Sequence, residues 1–211
     1  MRIVHFGHAC VLLETGSERI LIDPGTYSTG FEDERELSAV LVTHQHFDHL
    51  DVERLPKVLE ANPDAKLIAD PGSAPEIEKL GLPFDVANVG DAFAVGDTSI
   101  KAVGGEHAVI HADIPRIVNL GYVIDTADGT VYHPGDSFHV PDEEVATLFV
   151  PVSAPWLKLA EAIDFARAVH PERAFALHDS LLVDVAQQMV TGHMSRLSGT
   201  QYSRLEPGTA I

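Results

Sequence analysis

Cysteine is nearly absent from this chain of 211 residues, because Cys10 is the only one. A single cysteine cannot form an internal disulfide bond, and it cannot supply a cluster of thiolate ligands to a metal. The sequence therefore excludes a disulfide-stabilised fold and a thiolate metal cluster. This cysteine usage fits a cytoplasmic location, and Cys10 itself is predicted to be a small core residue.

Basic residues are also few, with 14 Lys and Arg against 32 Asp and Glu, which gives a formal net charge of −18. A protein of this sign is repelled by phosphate backbones and by anionic lipid surfaces. We therefore expect neither a nucleic acid nor a membrane as a partner. Bound metal would neutralise part of the acidic excess.

Long apolar runs are missing as well. No run approaches the roughly 20 residues that a membrane-crossing helix needs, and residues 1–5 lack the apolar core of a signal peptide. The hydrophobic fraction of 45% is that of an ordinary globular protein. We expect one domain over residues 1–211, and the chain leaves open whether it forms a homo-oligomer.

The most informative stretch of the chain is a dense histidine cluster at residues 43–49, Thr-His-Gln-His-Phe-Asp-His. It follows the apolar run 37–42, which is predicted to be a buried strand, so the cluster lies on the loop that leaves this strand. His44 and His46 are two residues apart and point the same way in an extended loop, so both can reach one metal ion. Asp48 and His49 can reach a second point nearby. Imidazole and carboxylate are ordinary ligands of zinc and similar divalent ions.

Apolar patterns and turn residues predict alternating strands and helices along the rest of the chain. Strands are expected within 2–22, and the strand–helix alternation after residue 37 implies parallel strands covered by helices. The other predicted strands are 66–69, 91–95, 98–103, 117–124, 130–132, 147–152 and 173–177, with short extended pieces at 201–205 and 208–211. Helices are predicted at 51–60, from 73 onwards, at 158–169 and in a final segment that ends near 194.

The motif His-x-His-x-Asp-His at 44–49 is the signature of the metallo-β-lactamase superfamily, which this sequence resembles. The opening strands, with Gly7-His8-Ala9 and then Asp23-Pro24, look closest to the UPF0173-type branch that includes ascorbate-6-phosphate lactonase-like hydrolases. The resemblance covers nearly the whole chain. It implies an α/β fold, an αβ/βα four-layer sandwich of two mixed β-sheets flanked by helices.

The resemblance also implies the remaining ligands. His107, after the strand 98–103 and a glycine pair, matches the family's third histidine best, with His111 as the competitor for this role. Asp136, in a Pro-Gly-Asp turn, matches the bridging aspartate, and His178, at the end of strand 173–177, matches the last histidine. The first ion is thus assigned His44, His46 and His107, the second is assigned Asp48, His49 and His178, and Asp136 is shared by both.

This ligand set predicts a metal-dependent hydrolase with two divalent ions, zinc first and manganese or iron as alternatives. A hydroxide between the ions is the expected nucleophile, since metal binding lowers the pKa of water to about 7. The predicted substrate is a small ester, lactone, amide or phosphodiester. Asp48 would orient the hydroxide, and the leaving group would be either stabilised by a metal or protonated by His8 or His111. His8 itself either lines the pocket or is a packed histidine of the first hairpin. The alternatives are a phosphodiesterase or nuclease of the same superfamily, and a metal-binding protein without turnover.

Four further residues have two interpretations each. Asp23 either accepts a hydrogen bond from a metal-bound imidazole or caps its turn. Trp156 either walls the pocket or is a core or rim aromatic residue. Arg116 either meets an anionic substrate or forms a surface ion pair. Asp179 either orients a ligand or caps the helix that follows it.

Overall fold

Two β-sheets form the framework of the structure, a computed structural model that describes residues 1–211. The first sheet has six strands in chain order. They are β1 (Arg2–His5), β2 (Val11–Thr15), β3 (Glu18–Ile22), β4 (Ala39–Val42), β5 (Lys66–Ala69) and β6 (Asp85–Val86). Strands β1 to β3 pair antiparallel and β3 to β6 pair parallel, so this sheet is mixed.

The second sheet repeats this plan with seven strands, whose order from one edge to the other again follows the chain. They are β7 (Ala92–Val95), β8 (Thr98–Gly104), β9 (Leu120–Thr126), β10 (Gly129–His133), β11 (Thr147–Pro151), β12 (Arg173–Leu177) and β13 (Gln201–Ser203). Strands β7 to β10 pair antiparallel, and β10 to β13 pair parallel.

Four α-helices connect the parallel strands. They are α1 (Leu55–Ala61), α2 (Ala74–Lys79), α3 (Leu159–Val169) and α4 (Asp184–Leu197). Each joins two neighbouring parallel strands, as such connections require. Pro56 and Pro75 lie in the first turns of α1 and α2, where a missing N–H costs no helical hydrogen bond. None of the helices combines the length and the apolar character that crossing a bilayer requires.

Three buried apolar clusters define the layers. One contains residues of both sheets, such as Leu41 and Phe149, and fills the space between them. A second joins the outer face of the first sheet to α1 and α2 through residues such as Leu55. A third joins the second sheet to α3 and α4 through Phe165 and Met194. The predicted α/β architecture of two mixed sheets flanked by helices is thus confirmed, while the division into domains stays a prediction.

Two predicted boundaries differ from the structure for local reasons. The helix expected from residue 51 begins at Leu55, because the Asp51 carboxylate first accepts two backbone N–H groups in a turn. The strand expected from residue 117 begins at Leu120. The carbonyl group of Ile117 instead accepts the backbone N–H of His107 at 3.0 Å, so this segment supports the neighbouring loop.

The ends of β4, β8, β10 and β12 lie at one edge of the two sheets. Contacts between the sheets fix this edge. The Tyr122 hydroxyl of β9 donates to the carbonyl oxygen of Val42 at 2.8 Å, and the Leu120 N–H donates to the carbonyl oxygen of Thr43 at 2.9 Å. The loop that leaves β4 is therefore tied to the second sheet at the point where it begins.

Candidate metal centre

Loops that leave four strands carry polar side chains to this shared edge of the sheets. The loop 43–49 leaves β4, His107 follows β8, Asp136 follows β10, and His178 follows β12 directly. The structure brings together all seven residues that the sequence proposes as ligands, which are His44, His46, Asp48, His49, His107, Asp136 and His178, and it adds His8. Their convergence is a geometric fact, and their roles as ligands stay predictions.

The first group consists of His44, His46, His107 and Asp136, each of which offers one ligand atom. These atoms all lie within 4.8 Å of one another. His44 Nε2 is 3.0 Å from His46 Nδ1, and His107 Nε2 is 3.3 Å from Asp136 Oδ2. His44 and His107 are buried, so three imidazoles and one carboxylate converge where little water can enter.

The second group consists of His8, Asp48, His49 and His178. Its ligand atoms also all lie within 4.8 Å of one another. His178 Nε2 is 3.2 Å from His49 Nε2 and 3.3 Å from Asp48 Oδ2. His8 Nε2 is 3.0 Å from the same Asp48 oxygen. This group also combines three imidazoles with one carboxylate.

Asp136 lies between the two groups. Its Oδ2 atom faces His107 of the first group at 3.3 Å. Its Oδ1 atom is 3.2 Å from Nε2 of both His49 and His178 in the second group. The position agrees with the shared role that the sequence assigns to Asp136, because each carboxylate oxygen faces one group.

Buried acceptors outside the centre fix the orientation of two imidazoles. The Asp23 carboxylate accepts the Nδ1–H of His49 at 2.7 Å and the hydroxyl proton of Thr43 at 2.7 Å. Because the Thr43 hydroxyl donates to Asp23, it accepts from His44 Nδ1 at 3.0 Å. Of the two interpretations of Asp23, the hydrogen bond to an imidazole is the one that the structure shows.

Backbone carbonyl groups orient two more imidazoles. His107 Nδ1 donates to the carbonyl oxygen of Ala108 at 2.6 Å, and His178 Nδ1 donates to that of Ser153 at 2.7 Å. A carbonyl oxygen only accepts, so the proton of the neutral ring stays on Nδ1. The Nε2 lone pair of each ring is then directed into the centre, as metal-binding histidines require.

Unpaired buried atoms show that the residues present fit divalent cations. His107 Nε2 and Asp136 Oδ1 are buried and make no hydrogen bond of good geometry, although each has an oppositely charged or polar ligand atom within 3.3 Å. Leaving a buried polar atom unpaired costs about 1–3 kcal/mol, and coordination of a cation would satisfy both atoms. Six imidazoles and two carboxylates form a nitrogen and oxygen donor set that suits zinc and related divalent ions.

The packing of carboxylates against imidazoles shifts their pKa values. Burial alone would raise the pKa of Asp136, but His178 and His49 hold it well below its usual range. Burial would lower the pKa of His178, but Asp136 raises it to about 9. His49 also has a raised pKa, since Asp136 and Asp23 outweigh its burial. In the metal-free protein, protons therefore occupy positions that a cation would take.

Three residues at the centre adopt left-handed backbone conformations that side chains rarely adopt. The φ angles are 54° for His8, 51° for Asp23 and 62° for His178. Such conformations cost about 1–3 kcal/mol each and persist only where the surroundings hold them. The backbone N–H of His178 donates to the carbonyl oxygen of His8 at 2.8 Å, so two of the strained segments hold each other in place.

The structure does not support the expected leaving-group role for either pocket histidine. The His111 side chain is 65% exposed, belongs to neither group and accepts the backbone N–H of Asp113 in a surface turn. Of the two candidates for the third histidine, the structure brings His107 to the first group. His8 is fully buried and does not line the cavity over the centre, so it acts on that cavity through neighbours that do, which are Asp48, His178 and Tyr27.

The other open interpretations are also decided by contacts. Trp156 lines the cavity over the centre, and its indole N–H donates to Asp136 Oδ2 at 3.0 Å. Arg116 forms a surface ion pair with Glu106 at 2.7 Å. Asp179 takes neither expected role, because it pairs with Arg204 at 2.5 Å and α4 begins five residues later. Cys10 is buried in the core, as expected.

Several supporting residues were missed by sequence analysis. Asn119 accepts the backbone N–H of Asp136 at 2.8 Å and donates to the carbonyl oxygen of Pro134 at 2.9 Å, which holds the Pro-Gly-Asp turn. A lone asparagine gives no signal in the sequence. Thr43, in contrast, directly precedes the histidine motif and could have been found from that position.

Comparisons with known proteins show which family and which relatives this chain is similar to. A profile described as "Beta-lactamase superfamily domain" matches residues 2–178. Protein Rv0786c of Mycobacterium tuberculosis is 44% identical over 213 residues, which cover 100% of this chain and 99% of the relative. UPF0173 protein PYRAB01190 of Pyrococcus abyssi is 32% identical over 190 residues, which cover 84% of this chain and 83% of the relative. UPF0173 metal-dependent hydrolase EAT1b_0495 of Exiguobacterium sp. is 28% identical over 195 residues, which cover 84% of this chain and 85% of the relative.

A solved structure shows the same fold. Igni18, described as a novel metallo hydrolase from the hyperthermophilic archaeon Ignicoccus hospitalis, superimposes with a TM-score of 0.79 and 20% sequence identity. The match covers 100% of this chain and 97% of that chain. At this identity, the likeness concerns the arrangement of sheets and helices alone.

Proposed function

This chain belongs to the metallo-β-lactamase superfamily as a UPF0173-type protein, and from that premise we propose that it uses two divalent cations to hydrolyse a small substrate. It is a metal-dependent hydrolase of this superfamily. We propose the number of cations, their identity and the bond that is broken. The bond is that of an ester, lactone, amide or phosphodiester.

The observation that carries the proposal is the position of Asp136 between two groups of three imidazoles and one carboxylate. His44, His46 and His107 would hold one cation and Asp48, His49 and His178 the other, with Asp136 contributing to both. When bound, such cations lower the pKa of water to about 7 and polarise the bond under attack. Zinc is the first choice because histidine dominates the donor set, and the carboxylates leave manganese or iron as alternatives.

Asp48 is the residue we assign to orienting the attacking water, by accepting a hydrogen bond from it. Burial opposes the ionised form, but His178 and His8 hold the pKa of Asp48 below its usual range. Its carboxylate is therefore ionised at neutral pH, and it lines the cavity. His8 is a positioning residue, because burial lowers its pKa to about 4 and its neutral ring donates to Asp48 Oδ2.

Trp156 positions the second carboxylate. Its indole N–H donates to Asp136 Oδ2, and its ring lies on the wall of the cavity. The contact restrains Asp136 between the two groups and excludes water from one side of it. Catalytic carboxylates held in this way need little reorganisation during a reaction.

The test is a metal-reconstitution assay. The purified protein is stripped with a chelator, reloaded with zinc or manganese, and assayed on a panel of lactones, esters, amides and phosphodiesters. We expect turnover that disappears with the metal and returns on reloading. Turnover of bis-aryl phosphate alone would favour the phosphodiesterase alternative. Absence of turnover from every loaded form, with metal bound, would favour a metal-binding protein without activity.

A further inference from the structure

A cavity of about 330 Å³ opens over both groups of the metal centre. The histidine and aspartate side chains of its lining are His46, Asp48, His107, Asp136 and His178. Every one of them belongs to the candidate ligand set. These groups are occupied with the reaction itself, so the parts of a substrate that do not react must be recognised by the remaining walls.

The remaining walls are apolar or aromatic. They are formed by Tyr27, Phe47, Ile110, Pro155, Trp156 and Leu181. The rings of Tyr27 and Phe47 pack edge to face with centroids 5.4 Å apart. The Trp156 N–H is already donated to Asp136, so the uncharged Tyr27 phenol is the remaining polar side-chain group on these walls.

Two apolar side chains are exposed at the rim of this cavity. Phe47 is 59% exposed although it stands between His46 and Asp48 in the metal-binding loop, and Leu181 is 48% exposed three residues after His178. Exposed apolar side chains around a cleft mark a surface that a ligand covers. Because Phe47 and Leu181 lie beside proposed metal ligands, a ligand that covers them would contact them next to its reacting bond.

No Lys or Arg side chain lines the cavity. Arg116 lines a neighbouring cavity that shares Trp156 with this one, but its guanidinium is paired with Glu106 at 2.7 Å. The protein carries a net charge of −18. A phosphate or carboxylate substituent away from the reacting bond would therefore lose its hydration against these walls without gaining a cationic side chain as a partner.

We propose that the substrate is an uncharged ester, lactone or amide whose hydrocarbon substituent packs against Phe47 and Leu181, rather than a phosphorylated or carboxylated molecule. The inference rests on the proposed hydrolytic function and narrows its substrate class. The reaction consumes one water, breaks the acyl–oxygen or acyl–nitrogen bond, and yields a carboxylic acid together with an alcohol or an amine. No other reactant is needed.

The first arm of the test compares 4-nitrophenyl esters on the metal-loaded protein. The acyl groups are acetate, butyrate, hexanoate and succinate, the last being a butyrate that ends in a carboxylate. Because each buried methylene adds to binding, we expect kcat/KM to rise about tenfold or more from acetate to hexanoate. We expect a similar loss from butyrate to succinate. Equal or better hydrolysis of succinate, or no dependence on chain length, would overturn the inference.

The second arm uses a matched pair of leucine variants. Leu181→Ala removes a wall residue, whereas Leu197→Ala removes a leucine of similar exposure, 41%, that does not line the cavity. We expect Leu181→Ala to lower kcat/KM for hexanoate about fivefold or more through KM, to lower kcat/KM for acetate by a smaller factor, and to leave the metal content unchanged. Leu197→Ala should match the wild type. Equal behaviour of the two variants would contradict the proposal.

A third arm measures binding to the chelator-stripped protein, which carries no metal for hydrolysis, so that failure of hydrolysis and failure of the inference are distinguished. Trp156 is the only tryptophan and lines the cavity, so its fluorescence reports occupancy. The ligands are N-hexylacetamide and 6-acetamidohexanoate, which differ by a terminal carboxylate. We expect the neutral amide to bind more tightly, and Leu181→Ala to weaken it. Tighter binding of the carboxylate would overturn the inference, whereas neutral binding without any ester hydrolysis would overturn only the proposed function.

Discussion

At the scale of single residues, buried acceptors hold the imidazoles of the centre in their orientations. Asp23 is the most connected of these acceptors, because its carboxylate accepts the Nδ1–H of His49 and both the backbone N–H and the hydroxyl of Thr43. Through Thr43 it also fixes His44. One carboxylate thus orients one imidazole in each group.

Asp23→Asn should weaken zinc binding. The amide cannot match the charge of the carboxylate, so the hydrogen bond to His49 and the orientation of its ring are weakened. We expect zinc affinity to fall about 10–100-fold, as measured by competition with a chromophoric chelator. Asp70→Asn is the matched control, since Asp70 is an equally buried aspartate that follows the neighbouring strand and accepts only from Gly72 and Ser73. Wild-type affinity in Asp23→Asn would exclude the orienting role.

Zinc binding should release protons from the centre. His178 has a pKa of about 9 in the metal-free protein, so its ring carries an extra proton at pH 7, and the pKa of the neighbouring His49 is also raised. A cation at this position displaces the extra proton. We expect at least one proton to be released per chain, measured by calorimetric titration in buffers of different ionisation enthalpy. Binding enthalpies that do not depend on the buffer would contradict this expectation.

The same pKa shifts make the stability of the metal-free protein depend on pH. The folded-state pKa of His178 lies above its ordinary value of 6.5. The stabilisation from its protonated form is therefore complete below about pH 6.5 and is lost as the pH rises through about 9. Thermal unfolding of the stripped protein across this range measures the loss, and His178→Gln should remove this part of the pH dependence.

At the scale of elements, the loop after β4 is held by a close contact with the loop after β3. A Cβ atom placed on Gly25 would lie 1.8 Å from the carbonyl oxygen of Asp48 and 2.5 Å from the backbone nitrogen of His49. Both are backbone atoms and cannot rotate away. Glycine is therefore required at this position for the metal-binding loop to keep its path.

Gly25→Ala should disturb both stability and metal binding. The added methyl group forces the loop away from its position, which we expect to cost about 1–3 kcal/mol in urea unfolding and to lower the metal content. Gly192→Ala is the control, because a Cβ in α4 meets nothing within 4 Å. That substitution should stabilise the protein by about 0.5–1 kcal/mol. Gly25→Ala with wild-type stability and metal content would show that the close contact is relaxed in solution.

The parts of this site that could be predicted from the sequence are the local ones. The motif at 44–49 places four polar side chains on one loop, and the strand before it is apolar enough to be recognised. Asp136 and His178 are far away along the chain, so only the resemblance to a family linked them to this loop. The choice between His107 and His111 depends on where the chain turns, which the contact between His107 and Ile117 decides. Backbone acceptors such as the carbonyl oxygen of Ser153 cannot be predicted from the pattern of side chains.

At the scale of the whole molecule, the centre joins the two sheets. The first sheet and its loops contribute His8 and the loop 43–49, and the second contributes His107, Asp136 and His178. Neither half carries a complete group. Bound cations should therefore stabilise the assembled sandwich rather than one layer of it.

Removal of metal should lower the melting temperature of the whole molecule. A ligand present at about 100 times its dissociation constant adds about 2.7 kcal/mol. For a protein of this size, that corresponds to about 5–10 °C. Calorimetry with and without a chelator measures the difference, and restored zinc should reverse it. Identical melting curves for the stripped and loaded protein would contradict a cation held between the sheets.

The most direct test of the metal centre is elemental analysis of the purified protein after loading with zinc. We expect about two zinc ions per chain in the wild type. His46→Ala and His178→Ala each remove a proposed ligand of one ion, so each should lower the metal content, and His111→Ala should not. Essentially no transition metal in the wild type under any loading condition, or full metal content in both His46→Ala and His178→Ala, would contradict the assignment of these residues to a dinuclear centre.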